Sequence, residues 1–305
     1  MPKVDRHSEN VNDDAFEDLP YLIRLLDDED PAVRPIVKER ISELSGDISH
    51  DLAALGININ TEGRKRLSRL LQPGRRETLR EEWVVPTSGM ESLDDDWESF
   101  ENYLRQICDF MHDGVTLRPS LSDSLDLLSD EIEQDLVAPS ANDLRRWLFK
   151  TGRFKGDSQQ ADALENYDIC HVIDSRKGNP TSLACLFMLL GRRLGCQVDG
   201  CNYPGHFLAR IQIAGTTHLI DCFHGGRKFD ADALLRLHPE ISERAKSAVT
   251  DSGDLGFVLL RYITEIQHSL TAVKRDEDAA LFKKCKYLFA SIKWDNVGRG
   301  LSLIP

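Results

Sequence analysis

The segment that most constrains the fold is a long apolar run at residues 181–194, TSLACLFMLLGRRL. At helical spacing its apolar side chains cover most faces, with Leu183, Phe187, Leu190 and Leu194 on the tightest stripe, so the predicted helix has to be buried. Asn179-Pro180 is a favourable start for a helix, and Gly195 is a favourable stop. The chain must therefore supply elements that enclose this helix on several sides.

The residues after this helix change to a period of two. The sequence FLARIQI at 207–213 alternates cleanly, Ala214-Gly215 provides a turn, and TTHLIDCF at 216–223 returns. This pattern predicts a β-hairpin, preceded by a further strand at 197–203. With helical patterns on both flanks, the predicted fold class is α+β: a mostly helical chain in which a buried helix packs against a small antiparallel sheet.

The first part of the chain predicts two short helices. Leu22, Leu25 and Leu26 line the first of them. Asp30-Pro31 then restarts the chain, with Asp30 as N-cap and Pro31 at the first helical position. The second helix carries an apolar stripe of Val33, Val37, Ile41 and Leu44. This pair resembles a single HEAT-type repeat, although any helical hairpin gives the same pattern.

The remaining patterns give the predicted domain organisation. The Pro-, Gly- and Ser-containing stretch at 72–93 predicts a linker. An amphipathic helix follows at 94–112, with two more helical stretches around 121–136 and 140–150, and 255–273 with 278–292 predict a C-terminal helical hairpin of TPR-like type. The predicted domains are an N-terminal helical segment (1–71), the linker (72–93), a core with an acidic leader (94–250) and the C-terminal hairpin (251–305).

The charge of the chain is concentrated in one segment. The formal net charge is −13, and residues 91–135 hold fourteen acids against only Arg105 and Arg118, which gives −12 there. Such a field repels phosphate backbones and argues against nucleic-acid binding. We interpret the acids as the solvated face of helices that pack on the core; a docking surface for a basic partner is the alternative. Their repulsion is screened on that face, so added salt should stabilise the protein modestly.

Composition also bears on the compartment. No apolar run approaches the roughly 20 residues that a membrane-spanning helix needs, and the N-terminal sequence has no apolar stretch typical of a secretion signal. The seven cysteines are an odd number, and reduced thiols in a cytoplasmic protein are the simplest interpretation. We therefore expect a cytoplasmic protein with no membrane segment.

Residues 176–226 resemble the signature region of the SirB family, a branch of the transglutaminase-like superfamily. The resemblance rests on five short pieces: Gly178-Asn179-Pro180, Ser182-Leu183, Arg193-Leu194-Gly195, Pro204-Gly205-His206-Phe207 and Ile220-Asp221-Cys222-Phe223. The stretch LRRWLFKTGRFKG at 144–156 is similar to the same family's leader into this region. The resemblance implies a papain- or transglutaminase-like core with a site formed by a helix start and two strands.

Enzymes of this superfamily use a Cys at the start of the buried helix, then a His on one strand and an Asp on the next. Carried over residue by residue, the resemblance implies that His206 and Asp221 are the His and Asp of a triad, and antiparallel pairing can place them side by side. The nucleophile position holds Pro180, which suits the first turn of a helix and is chemically inert. Ser182 and Cys185 are the weak alternatives.

These alternatives have specific weaknesses. Cys185 lies five residues after Pro180, roughly 140° around the helix and about 7.5 Å along it, so it should point into the core. The hydroxyls of Thr181 and Ser182 are nearer the helix start, but a hydroxyl pKa is far harder to lower than a thiol pKa. The sequence therefore shows an orienting His–Asp pair without a nucleophile.

Three functional hypotheses follow. The favoured one is a non-catalytic transglutaminase-like protein whose cleft binds a peptide or protein, with Asn179, Pro204, Gly205 and Phe207 as candidate binding residues beside the triad remnant. The second is an active amidase, peptidase or acyl-transferase with an atypical nucleophile, and the third is a structural scaffold with a vestigial cleft. His206 can also be a half-buried His satisfied by Asp221, which would then only end a strand. The sequence leaves the ligand and the oligomeric state open.

The sequence gives only weak support for a metal site. Six potential ligands fall within thirty residues: Cys196, Cys201, His206, His218, Cys222 and His224. They include no C-x-x-C or H-x-x-x-H pair, and such pairs are the usual signature of zinc ligands close in sequence. We therefore expect no metal and no cofactor, and we interpret the remaining cysteines as small buried apolar groups.

Overall fold

The structure is a computed structural model and describes residues 18–28, 30–86, 88–89, 93–250 and 253–291. The chain divides into two compact units. One consists of the residues up to Glu82 together with His112–Arg118, and the other of Trp83–Met111 with the chain from Pro119 onward. Each unit has its own core, and each is described by itself. Parts of the predicted segments 1–71, 72–93 and 251–305 lie outside the described residues.

The first unit is helical. It contains α1 (residues 18–24), a 3-10 turn at Leu25–Asp27, α2 (Val33–Ser42), α3 (Ser49–Ala54) and α4 (Thr61–Glu82). The predicted stripe of α2 is buried at Val37 and Ile41, in one apolar cluster with Leu22 of α1 and Leu26 of the 3-10 turn. Asp30 accepts a hydrogen bond from the Ala32 backbone N–H at 2.8 Å, as a cap does, but α2 begins at Val33 and not at Pro31.

The predicted linker at 72–93 is wrong for residues 72–82, which continue helix α4 across Pro73. Two features keep the helix intact there. A Cβ on Gly74 would lie 2.4 Å from the Leu44 carbonyl oxygen, so only glycine permits this close approach of α4. The next residue, Arg75, is buried and donates to the Asp113 carbonyl oxygen at 3.0 Å and to the Ser68 carbonyl oxygen at 2.8 Å. Packing contacts therefore keep this segment helical, although Pro73 and Gly74 disfavour a helix locally.

The second unit builds its core around α9 (Pro180–Arg193), the helix that the apolar run predicts. Its residues from Thr181 to Gly191 are all buried. The surrounding helices are α5 (Trp97–Met111), α6 (Leu121–Asp135), α7 (Ala141–Arg145, continued by a π turn at Arg146–Lys150), α8 (Ile169–Ser175), α10 (Ala231–Leu237), α11 (Glu243–Thr250), α12 (Leu255–Ala272) and α13 (Asp276–Ser291). The last two form the predicted C-terminal hairpin.

One four-stranded antiparallel sheet packs against α9. Its strands are β3 (Asp199–Cys201), β4 (Leu208–Ile213), β5 (Thr216–Asp221) and β6 (Arg227–Asp230), in the order β3-β4-β5-β6. The predicted hairpin is β4–β5, with Ala209 opposite Ile220 and Ile213 opposite Thr216. A separate parallel pair joins β1 (Lys155–Gly156) to β2 (Lys177–Gly178) just before α9. The α+β prediction, mostly helical with a small antiparallel sheet, is confirmed.

The acidic segment packs on the core as predicted, but its acids are not merely solvated. Phe100, Leu104 and Ile107 of α5 are buried. On the outer side, Arg193 at the end of α9 pairs with Glu101 at 2.7 Å and with Asp126 at 2.8 Å. Other acids of α6 pair with further arginines, at Glu131–Arg153, Glu131–Arg176 and Asp135–Arg153. The field of the acids is therefore partly neutralised by arginines of the core. No helix in the described part of the chain is long and apolar enough to cross a membrane.

Candidate functional site

The first side of the candidate site is the start of α9. Asn179 is the N-cap: its Oδ1 accepts from the Ser182 backbone N–H at 2.8 Å, and the Ser182 Oγ accepts from the Asn179 N–H at 3.1 Å. This reciprocal capping box, with Pro180 at the first helical position, fixes the helix start firmly. The β1–β2 pair lies directly before this helix start. Just after β1, the backbone N–H of Asp157 donates to the Gly178 carbonyl oxygen of β2 at 2.9 Å. We call Asn179–Cys185 the helix wall.

The second side is formed where β4 begins and β5 ends. Gly205 has φ +81°, a backbone conformation that favours glycine, and it turns the chain just before His206. Strand β4 begins shortly afterwards, at Leu208. The expected hydrogen bond is present: His206 Nε2 lies 2.9 Å from Asp221 Oδ1. His224, which the triad pattern did not include, contributes a second imidazole. Its Nδ1 lies 2.7 Å from Asp221 Oδ2, and its backbone N–H donates to Asp221 Oδ1 at 3.1 Å. We call His206, Asp221 and His224 the imidazole rim.

Asp221 is the electrostatic centre of this rim. Its side chain is 9% exposed, while those of His206 and His224 are 31% and 55% exposed. Burial alone would raise the pKa of Asp221, but the hydrogen bonds from His206 and His224 outweigh burial and lower that pKa to about 2. The carboxylate is therefore ionised at neutral pH and holds both imidazoles in fixed orientations.

The helix wall and the imidazole rim open on one cleft of about 500 Å³. Asn179 and Pro180 line it from the helix wall, and Gly205, His206, Phe207 and His224 line it from the strands. A third side comes from α12, where Arg261, Glu265 and His268 contribute. Of the predicted binding residues, Pro204 is not among those that line the cleft. The volume lies within the range of small-molecule and peptide pockets in proteins.

The candidate nucleophiles lie away from this cleft or are engaged. Cys185 is completely buried, and burial raises the pKa of its thiol far above the ordinary value. Ser182 is also fully buried and its hydroxyl belongs to the capping box. The Thr181 hydroxyl donates to Glu265 Oε2 at 2.6 Å. None of the seven cysteines, all of which the structure describes and all of which are buried, lines the cleft.

One residue that lines the cleft has a buried polar group without a partner. Asn179 is 2% exposed, its Oδ1 caps the helix, and its Nδ2 has no hydrogen-bond partner in the described structure. A buried N–H that lacks an acceptor costs free energy, so such a group in a native protein calls for an explanation. Asn179 lines the cleft, so this unpaired donor belongs to a residue at the boundary of the site.

Some site residues could not be found from sequence. Arg261 and Glu265 form an ion pair on α12 and belong to a segment that carries no motif. His224 stands three residues after Asp221, and the only signal was its membership of the Cys and His set weighed for zinc. The four other members of that set do not belong to the cluster. The thiols of Cys196, Cys201 and Cys222 contact the carbonyl oxygens of Pro139, Ala248 and Ile220, and the His218 imidazole contacts that of Thr216.

Comparison with known proteins gives one family and a few relatives. Residues 119–255 match a family model described as "Transglutaminase-like superfamily". A UPF0162 protein of Xylella fastidiosa is 30% identical over 155 residues, which are 48% of this chain and 55% of that protein. A UPF0162 protein of Pseudomonas aeruginosa is 43% identical over 75 residues, 24% of this chain and 27% of the relative.

A more distant relative is the human F-box only protein 21, 25% identical over 119 residues, which cover 39% of this chain and 19% of that protein. The chain thus spans about half the length of the Xylella relative and less of the other two. No solved structure matches the chain significantly. The region that matches the family model, residues 119–255, contains both the helix wall and the imidazole rim.

Proposed function

We propose that residues 119–255, which match the transglutaminase-like family model, form a transglutaminase-like domain of the SirB type, and that its cleft binds a peptide segment, free or within a partner protein, without thiol catalysis. The observation that carries the proposal is the buried, unpartnered Nδ2 of Asn179, a residue that lines the cleft. A peptide carbonyl oxygen is the complementary acceptor, and a bound peptide would satisfy this donor.

The absence of thiol chemistry rests on Pro180 and the residues after it. At neutral pH, a nucleophile at a helix start needs a group that can be deprotonated and that faces the His. Pro180 has no such group, Cys185 is buried in the core, and the hydroxyls of Thr181 and Ser182 are held by Glu265 and by the helix cap. The His206–Asp221 pair then serves to present an oriented imidazole to a ligand.

The other groups of the cleft suit a peptide. Arg261 supplies N–H donors, and Glu265 supplies a carboxylate acceptor that also receives the Thr181 hydroxyl. Burial raises the pKa of Tyr167 to about 12, so its phenol is neutral and donates or accepts without charge. Donors and acceptors side by side match the alternating C=O and N–H groups of an extended peptide backbone.

The binding test uses a random-peptide phage library, selected against the immobilised protein in the presence of a metal chelator. Enriched peptides are synthesised and their affinity is measured by fluorescence anisotropy for wild type and for Asn179→Ser. Serine is as good an N-cap as asparagine but lacks the amide N–H, so the helix start is kept and the donor is lost. We expect the affinity to fall by roughly tenfold, the value of about one lost hydrogen bond to a buried group.

The matched control is Asn142→Ser, which changes the same residue type on α7, where Asn142 accepts from Arg145 and does not line the cleft. Its peptide affinity should equal that of wild type. Failure to enrich any peptide, or equal affinity of wild type and Asn179→Ser, would refute the proposal. Hydrolysis of fluorogenic peptide amides that disappears in His206→Ala would establish the enzyme alternative in its place.

We further propose that this binding takes place in the cytoplasm. The seven cysteines are all free and buried, as is typical of proteins from a reducing compartment. Fractionation of cells that express the full chain, with immunodetection of each fraction, tests this assignment; recovery from an oxidising compartment would contradict it.

A further inference from the structure

The imidazole rim has the composition of a metal site. We propose that His206, Asp221 and His224 bind one divalent transition-metal ion of the Zn²⁺ class, through Nε2, a carboxylate oxygen and Nδ1 respectively. The three ligand atoms lie within 4.8 Å of one another. Two His and one carboxylate form a ligand set that is common in zinc and non-haem iron proteins with an open coordination position.

The distances already approach those of a metal site. Ligand atoms bound to Zn²⁺ at about 2.1 Å in tetrahedral geometry lie about 3.4 Å from each other. Here the two nitrogen-to-carboxylate distances are 2.9 Å to Oδ1 and 2.7 Å to Oδ2 of Asp221, so each nitrogen has to move away from its oxygen by about half an ångström or slightly more to admit an ion. The ligand atoms all lie within 4.8 Å of one another, so the remaining adjustment is a shift of the exposed imidazoles. The exposure of both imidazoles, 31% for His206 and 55% for His224, leaves room for that movement.

The donor atoms suit a cation. Asp221 offers a carboxylate oxygen, and His206 and His224 each offer a ring nitrogen, which are donor atoms that a Zn²⁺-class ion takes in proteins. Nε2 of His206 and Nδ1 of His224 both lie beside the carboxylate, so an ion bound there would take these two nitrogens in their unprotonated form.

The rim opens on the cleft, which leaves one coordination position for water or for an oxygen or nitrogen of a ligand. The sequence expectation of no metal rested on missing short-range pairs, but these ligands come from the turn before β4, the end of β5 and the turn after β5. Strand pairing, and not sequence spacing, brings them together. The metal proposal does not depend on peptide binding, although both concern the same cleft.

The test is a Co²⁺ titration of the full chain after treatment with a chelator, followed by Zn²⁺ displacement. We expect one Co²⁺ per chain with visible bands of nitrogen and oxygen coordination and without a thiolate charge-transfer band in the near ultraviolet. His224→Ala should weaken Co²⁺ binding at least roughly tenfold, the smallest loss typical even of groups that only support a metal ligand. Circular dichroism checks that the variant is folded.

The matched control is His218→Ala, on strand β5, whose imidazole contacts the Thr216 carbonyl oxygen at 3.1 Å and does not belong to the cluster. It should bind Co²⁺ as wild type does. Absence of stoichiometric binding, or equal binding by wild type and folded His224→Ala, would overturn the proposal. A thiolate band would do so as well, since it would place the ion at the buried group of Cys108, Asp168 and Cys170. Peptide selection in chelator and the metal titration without peptide keep the two proposals separately testable.

Discussion

The helix wall and the imidazole rim face the same cleft but are built in opposite ways. In the helix wall, Thr181, Ser182 and Cys185 are fully buried, and the two hydroxyls are engaged in hydrogen bonds. In the imidazole rim, a nearly buried carboxylate holds two imidazoles that remain partly exposed. The wall stabilises the fold, while the rim presents groups that can still meet a ligand.

This difference indicates that neither the helix wall nor the imidazole rim needs a nucleophile in order to form. The helix start needs an N-cap and a residue that tolerates the first turn, and Asn179-Pro180 meets both needs without any chemistry. The orientation of His206 depends on Asp221 and on the β4–β5 register. The two parts are therefore separable, and substitutions on each side should have different consequences.

The largest expected effect lies in α9, just beyond the helix wall. Phe187 is fully buried in α9 and meets Phe149 edge to face at 5.6 Å. Phe187→Ala should lower the free energy of unfolding by roughly 3–5 kcal/mol because it leaves a cavity in a packed core. His224→Ala on the rim should lower it by no more than about 1.5 kcal/mol, the value of an ordinary hydrogen bond. Urea denaturation of both variants tests the contrast; equal losses would contradict it.

The next effect is a pH dependence that originates in the rim. The pKa of Asp221 is about 2 in the folded protein, below its ordinary value, so its ionisation stabilises the fold above pH about 4. That contribution, roughly 2 kcal/mol, is lost as the pH falls from about 4 towards about 2. Asp221→Asn should lack this component of the acid-induced loss. Denaturation of wild type and variant at several pH values measures it, and parallel pH profiles would refute it.

A smaller effect belongs to the helix cap. Asn179→Ala removes the acceptor for the Ser182 backbone N–H and should cost about 1 kcal/mol of unfolding free energy. Asn179→Ser retains an acceptor and should cost less than half of that. Thermal and urea denaturation of the two variants separate the capping oxygen from the amide nitrogen. Should serine prove as costly as alanine, the Nδ2 group would have to be structural.

The sequence predicted the central elements well because their patterns are long or strictly periodic. The apolar run at 181–194 corresponds to the helix Pro180–Arg193, and the alternation at 207–223 corresponds to β4 and β5. The order of helix, His and Asp also placed His206 beside Asp221. In each case, neighbours in sequence or in one hairpin determine the contact.

The features that the sequence did not predict depend on contacts between distant segments. Arg75 donates across 38 residues to Asp113, and that contact helps helix α4 to pass Pro73, where local signals predict a break. Glu265 reaches Thr181 from 84 residues away and so brings α12 into the cleft. The unpartnered Nδ2 of Asn179 is a property of the whole surroundings, which no local motif encodes.

The smallest effect concerns the acidic segment. Glu131 of α6 pairs with Arg153 at 3.2 Å and Arg176 at 2.9 Å, with side-chain exposures near 39%. Because exposed pairs contribute little, Glu131→Gln should change the unfolding free energy by no more than about 1 kcal/mol, and by less in high salt. Denaturation at low and high salt measures this. A loss as large as that of Phe187→Ala would show that the acids, and not the apolar stripe of α5, hold the segment to the core.

The most direct test of the central claim is the reactivity of the native thiols. Iodoacetamide labelling of the folded chain, followed by peptide mass spectrometry, reports the rate at each cysteine. Since all seven cysteines are buried and burial raises the pKa of the Cys185 thiol, we predict slow labelling of Cys185 in the native protein and fast labelling after denaturation. Fast native labelling of Cys185 that His206→Ala abolishes would contradict the account, because it would reveal a working thiol–imidazole pair.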